Sequence, residues 1–221
     1  MGRRKSRYRE ALRGLESFLR SPENPVTIPA GVPATVEVGM GAGHILVARA
    51  RAEPDRWFVG LEIKEERTYQ AARVADSQGL RNVAFVVGEI SRMDAALPAH
   101  RFDEIMIFFP DPWPKKRDVA RRLHSPRYLG IFARWMAPGA SGLLRTDNPG
   151  VFDQALASLA GAGCAVTSTS EDAAPGEHQT RYESRFREER QKIHEIRFCW
   201  PADAVEAPPR PSAATPNLLP A

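Results

Sequence analysis

The stretch that decides the fold is Thr35-Val36-Glu37-Val38-Gly39-Met40-Gly41-Ala42-Gly43. A short apolar strand, Thr35–Val38, runs straight into three glycines at alternate positions. Glycine there permits a tight turn and lets a ligand approach the backbone closely. A helix at Ile45–Ala52 follows. Outward from this unit the alternation continues. Strands are expected at Trp57–Ile63, Asn82–Val87, Phe102–Phe108, Ser141–Arg145, Ala165–Thr169 and Lys192–Trp200. Helices are expected at Glu65–Gln78, ended by Gly79, at Pro126–Met136, stopped by Pro138-Gly139, and at Pro149–Ala160. The pattern predicts an α/β fold, doubly wound and Rossmann-like. Its sheet has seven strands, mostly parallel, with helices on both faces. No clear helix separates the last two strands, so one antiparallel edge strand is expected.

The chain has 221 residues, 43% hydrophobic and 26% charged, which suits one globular domain. Wholesale disorder and a collagen-like chain are excluded. No apolar run approaches the roughly 18 residues of a membrane span, so no membrane partner is expected. The opening MGRRKSRYREALRGLESFLR lacks the apolar core of an export signal. Cys164 and Cys199 form no CxxC pair, and both features lead to the expectation of a cytoplasmic, reduced protein. Residues 3–20 read as a basic amphipathic helix with Leu12, Leu15, Phe18 and Leu19 on one stripe. The proline-rich Ser21–Ala34 is a connector. Twelve of the 21 residues in 201–221 are Pro or Ala, which is expected to be a disordered tail. Three parts result: 1–34, a catalytic or binding domain over 35–200, and 201–221.

The glycine pattern is GxGxG, because the third position of a dinucleotide GxGxxG falls on His44. Glu37 precedes the loop. A carboxylate there repels a pyrophosphate but attracts a cationic sulfonium. That favours S-adenosylmethionine, with product S-adenosylhomocysteine, over a nicotinamide cofactor. Gly39, Gly41 and Gly43 are the expected cradle. Glu62 lies 19 residues past Gly43, where an acid can accept from ribose hydroxyls. Glu89 closes the third strand and can accept from an adenine amine. Each carboxylate also has an ordinary reading as a surface residue. Their recurrence at successive strand ends favours a ligand.

The net charge of +4 is unevenly spread. Residues 1–20 and 113–127 each carry +5, leaving about −6 for the rest. The second basic segment follows Phe108-Phe109-Pro110-Asp111-Pro112-Trp113-Pro114-Lys115-Lys116-Arg117 and continues in Arg121-Arg122-Leu123. The prolines fix the direction of Asp111. Trp113 offers a face to a base, and the cations suit phosphates. A Pro-rich turn with a solvated basic helix explains the prolines but not the whole set.

These residues resemble the bacterial tRNA (guanine-N7)-methyltransferases. The resemblance rests on VEVGMGAG, FVGLEI, FFPDPWPKK with RRL, Arg145-Thr146-Asp147 and Thr180-Arg181-Tyr182-Glu183, in the family's order over about 37–200. It implies a class I S-adenosylmethionine-dependent methyltransferase acting on N7 of the variable-loop guanosine, position 46 of tRNA. The enzyme would be cytoplasmic, metal-free, and a monomer or homodimer. The resemblance casts Glu37 and Glu62 as cofactor carboxylates, and Glu89 where the family usually has Asp or Asn. Asp111 becomes the catalytic aspartate, near both cofactor and target base. Lys115, Asp147, Thr180, Arg181, Tyr182 and Glu183 become substrate contacts. Lys116, Arg117, Arg121 and Arg122 are the expected RNA contacts. Thr146-Asp147-Asn148-Pro149 is also good helix-start chemistry, and Thr180 with Glu183 has the spacing of a capping box. The five histidines show no metal-ligand spacing. Alternatives are a methyltransferase of another RNA and a non-catalytic RNA-binding module.

Overall fold

A computed structural model describes Tyr8 and residues 10–202. Its eight strands are β1 (Leu19–Arg20), β2 (Ala34–Val38), β3 (Trp57–Glu62), β4 (Val83–Val87), β5 (Phe102–Phe108), β6 (Met136–Thr146), β7 (Ala165–Ser170) and β8 (His194–Cys199). The helices are α1 (His44–Ala52), α2 (Glu65–Ser77), α3 (Ile90–Met93), α4 (Pro126–Ala133), α5 (Pro149–Gly161) and α6 (Arg181–Glu188). All strands join one sheet in the order β1-β4-β3-β2-β5-β6-β8-β7. Pairing is parallel from β1 through β6. β8 runs antiparallel to both β6 and β7, so the reversal falls at the expected edge.

The central strands are apolar on both faces because helices cover both faces. Phe58, Phe85 and Met106 pack with Leu46, Ala50, Ala71 and Ala75 of α1 and α2. The alternate residues Val59, Val86, Ile105 and Ile107 pack with Leu129, Phe132, Ala155 and Leu159 of α4 and α5. Period-two alternation thus feeds two cores, one on each side of the sheet.

Three elements depart from the sequence pattern. The leading segment is helical only to Leu12 among the described residues, tightens into a 3-10 turn at Arg13–Phe18, and then becomes β1. Leu15 and Phe18 are buried, and the Phe18 ring lies 6.3 Å from Phe85. Pairing with the exposed edge of β4 overrides helix propensity there and adds the eighth strand. The helix expected to Met136 stops at Ala133, because Trp135 turns inward, fully buried, to donate to Asp94 at 2.6 Å. The segment between β7 and β8, expected to lack a helix, contains α6. The expected tail at 201–221 lies, past Ala202, outside the described residues, as do residues 1–7 and 9 of the expected leading helix.

The order of strands reverses direction at β2, which has β3 on one side and β5 on the other. Open α/β sheets bind ligands at the carboxyl ends beside such a switch.

Candidate functional site

A cleft of about 1310 Å³ opens at that edge. Glu37, Gly39 and Gly41 line it from β2 and its loop, Glu62 from β3, and Glu89 from the turn after β4, where it precedes α3. Gly43 stands just behind, as the N-terminal cap of α1 with φ +69°. A Cβ there would sit 2.8 Å from that of Ala71, so only glycine lets α1 and α2 pack this closely.

Glu37 is buried, and its Oε2 has no hydrogen-bond partner among the described residues. Burial pushes its pKa up to about 8, against the opposing pull of the Leu46 N–H and Arg49. A buried carboxylate left half-satisfied at the rim of a cleft is placed for a cation. Glu62 Oε1 accepts from the Lys64 N–H at 2.9 Å. Burial would raise Glu89, but hydrogen bonds from Ser91 and Tyr128 outweigh it and hold the carboxyl below its usual range. Tyr128, on α4, donates to Glu89 Oε1 at 3.0 Å. Nothing local in the sequence links these two positions.

The opposite wall is the Phe108–Trp113 loop. Phe109 and Trp113 have φ of +49° and +40°, which non-glycine residues rarely adopt. The loop is pinned at both ends: the Phe109 N–H donates to the Arg145 carbonyl at 2.8 Å, and the Trp113 carbonyl accepts from Arg122 Nη2 at 2.9 Å. Asp111 is exposed and lines the cleft. Asp147 lines it too, because Asn148 takes the capping role, its side chain accepting from the Val151 N–H at 3.1 Å. Thr180, Arg181 and Tyr182 complete the wall at the start of α6, where Thr180 Oγ1 caps the helix through the Glu183 N–H at 2.9 Å.

Other expected contacts lie elsewhere. Glu183 is fully buried behind the wall, paired with Arg145 and Arg187, and does not line the cleft. Arg122, half-buried, bonds the Trp113 carbonyl and Gln154 and does not line the cleft. Lys115, Lys116 and Arg117 are exposed beyond the rim, whereas Arg121 lines the cleft with its guanidinium 5.0 Å from the Trp113 ring centre. Arg67 is a cleft residue the sequence did not single out. It lies on α2 and reaches both Gly41 and Tyr182.

A doubly wound sheet with a glycine loop and acids at successive strand ends is the architecture of class I methyltransferases, whose methyl donor is S-adenosylmethionine. The half-satisfied Glu37 and the glycine cradle fit that donor. Solved structures with this fold include the 16S rRNA methyltransferase KamB, with TM-score 0.61 and 21% identity over 76% of this chain and 88% of that one. Another is an antibiotic-related methyltransferase, with TM-score 0.59 and 17% identity over 76% and 87%. Residues 32–196 match a family described as "Putative methyltransferase". The tRNA (guanine-N(7)-)-methyltransferase of Levilactobacillus brevis is 33% identical over 72% of this chain and 76% of its own length. That of Nitrosococcus oceani is 32% identical over 74% and 70%. The chain belongs to the tRNA (guanine-N7-)-methyltransferase family.

Proposed function

We propose that the chain methylates N7 of the variable-loop guanosine, position 46 of tRNA, in the cytoplasm. The observation that carries this reading is one cleft with two acidic halves. Glu37, Glu62 and Glu89 stand at the ends of β2, β3 and β4, while Asp111 and Asp147 follow β5 and β6.

Bound S-adenosylmethionine supplies a methyl group on a positively charged sulfur. Glu37 neutralises positive charge beside the glycine loop. Glu62 accepts from the ribose hydroxyls. Glu89, steadied by Tyr128 and Ser91, accepts from the adenine amine. Guanine N7 carries an in-plane lone pair, so no base must remove a proton before it attacks. Asp111 and Asp147 hold negative charge beside a purine that becomes cationic, and they accept from its N1–H and exocyclic amine. The task left to the protein is alignment. Trp113 presents a ring for stacking, Thr180, Arg181 and Tyr182 border the base, and Lys115, Lys116, Arg117 and Arg121 meet phosphates. The cleft is built within one chain, which suits a monomer or a homodimer.

The test is incubation of the protein with methyl-labelled S-adenosylmethionine and tRNA, followed by nucleoside analysis. Label in 7-methylguanosine, lost when guanosine 46 is replaced or when Asp111 becomes Ala, is the expected result. Label in another nucleoside would overturn the proposal.

A further inference from the structure

We infer that Arg145 is the positioning residue of the substrate wall, and that Glu183 acts through Arg145 rather than on the substrate. This rests on the function proposed above. Arg145 lies at the end of β6, buried, two residues before Asp147. Its carbonyl accepts from the Phe109 N–H at 2.8 Å, anchoring the loop that carries Asp111. Its guanidinium faces the other way. Nη1 donates to both oxygens of Glu183, at 3.0 and 3.2 Å, and so holds α6. Nε donates to Glu195 of β8 at 2.7 Å, and Nη2 to the Ala174 carbonyl at 3.4 Å. Three substrate-facing segments therefore meet at one residue: the Asp111 loop, Asp147 itself, and Thr180–Tyr182.

Glu183 presents no surface to a base. Oε1 accepts from Arg145 and also from Arg187, at 3.1 Å from Nε and 2.6 Å from Nη2. Its side chain has no exposed surface. Arg187 in turn donates to the Ala173 carbonyl at 2.8 Å, so the segment leading to Thr180 hangs on the same ion-pair cluster. The Phe109 and Phe186 rings, 5.5 Å apart, close the junction from its apolar side. A rigid, planar fork is needed to serve these directions together, which an ammonium cannot do.

The experiment compares Arg145→Lys, Glu183→Gln and the double variant. Each is assayed for kcat and KM with tRNA, for S-adenosylhomocysteine affinity, and for amide exchange at Phe109. We expect kcat to fall roughly 10- to 100-fold in each single variant, the scale set by misplacing reacting groups. The double variant should be no slower than the slower single one, as for residues acting as a unit. S-adenosylhomocysteine affinity should fall far less than kcat, since the cofactor carboxylates stand at the ends of β2, β3 and β4. Phe109 exchange should quicken in Glu183→Gln, although Glu183 does not touch that loop. Multiplying losses in the double variant, or a kcat loss with Phe109 protection intact, would place Glu183 on the substrate and overturn the inference. If buried-charge variants fold poorly, Phe186→Leu loosens the same junction without touching charge. It should quicken Phe109 exchange, and unchanged exchange counts against the inference. The exchange readout needs no turnover, so it separates this role from a failure of the proposed reaction.

Discussion

Arg67 Nη2 donates to the Tyr182 hydroxyl at 3.2 Å, joining α2 to α6 across the mouth of the cleft. The two residues are 115 positions apart. Arg67 Nη1 also comes within 3.5 Å of where a Cβ on Gly41 would lie, so the guanidinium covers the glycine loop. Removing the hydroxyl in Tyr182→Phe should speed dissociation of S-adenosylhomocysteine by roughly two- to tenfold, the worth of one such hydrogen bond. Stopped-flow displacement reads this directly. An unchanged off-rate would show that the contact does not retain the cofactor.

Glu37 gives the site a pH dependence of definite sign. Its pKa is raised from 4.5 to about 8 by burial. Between those values the folded chain holds a proton that the unfolded chain has released. Stability of the cofactor-free protein should therefore fall as pH rises through that window. Cofactor binding has the opposite sign. A sulfonium favours the carboxylate, so binding releases a proton and tightens as pH rises toward about 8. Glu37→Gln should flatten both slopes. Thermal melts and calorimetry with S-adenosylmethionine across this range test it, and a pH-independent wild-type affinity would refute it.

Gly60 sits at the centre of β3 beneath the glycine loop. A Cβ there would fall 2.2 Å from Met40 Sδ and 2.7 Å from Leu46 Cδ2. Gly60→Ala must push on the loop or on α1. We expect a stability loss of about 1–3 kcal/mol from overpacking, with weakened S-adenosylhomocysteine binding. Chemical denaturation and calorimetry on the same sample check the two effects. Binding at wild-type strength would show that Met40 absorbs the strain by changing rotamer.

Arg121 is exposed and rests over Trp113, whereas Arg122 is committed to Trp113 and Gln154. The two neighbours should differ on substitution. Arg121→Ala should weaken tRNA binding and lower its salt slope by about 0.7–0.9, one phosphate contact. Arg122→Ala should leave the slope unchanged and loosen the Trp113 loop. Titrations at several salt concentrations separate them, and equal slopes for Arg121→Ala and wild type would remove Arg121 from the interface.

The parts of the site that were legible in the sequence are those fixed by local order. Glu37, Glu62 and Glu89 each close a strand, so finding the strands found the carboxylates. Asp111 was marked by the prolines around it. The supports were not legible, because they depend on which segments meet. Tyr128 stands 39 residues from Glu89, and Arg145 stands 38 from Glu183. The Thr180–Glu183 spacing carried a helix start that the strand reading passed over, and the Glu183 carboxylate turns away to Arg145 and Arg187. Thr146, Asp147 and Asn148 all carry side chains that can cap the helix that Pro149 opens. Only the fold shows that Asn148 caps and Asp147 is released to the cleft. β1 was hidden because its residues continue a helical stripe.

That short strand changes what the leading segment is for. Leu19 and Arg20 lie against Phe85 and Val86, closing one border of the sheet. At the other border, β7 is a Ser- and Thr-rich strand, open and largely exposed. One border is thus shielded by pairing and the other by polarity, two ways to discourage neighbouring molecules from adding strands. A truncated protein beginning at the connector would bare the apolar rim of β4 and invite self-association, even though every cleft residue remained in place.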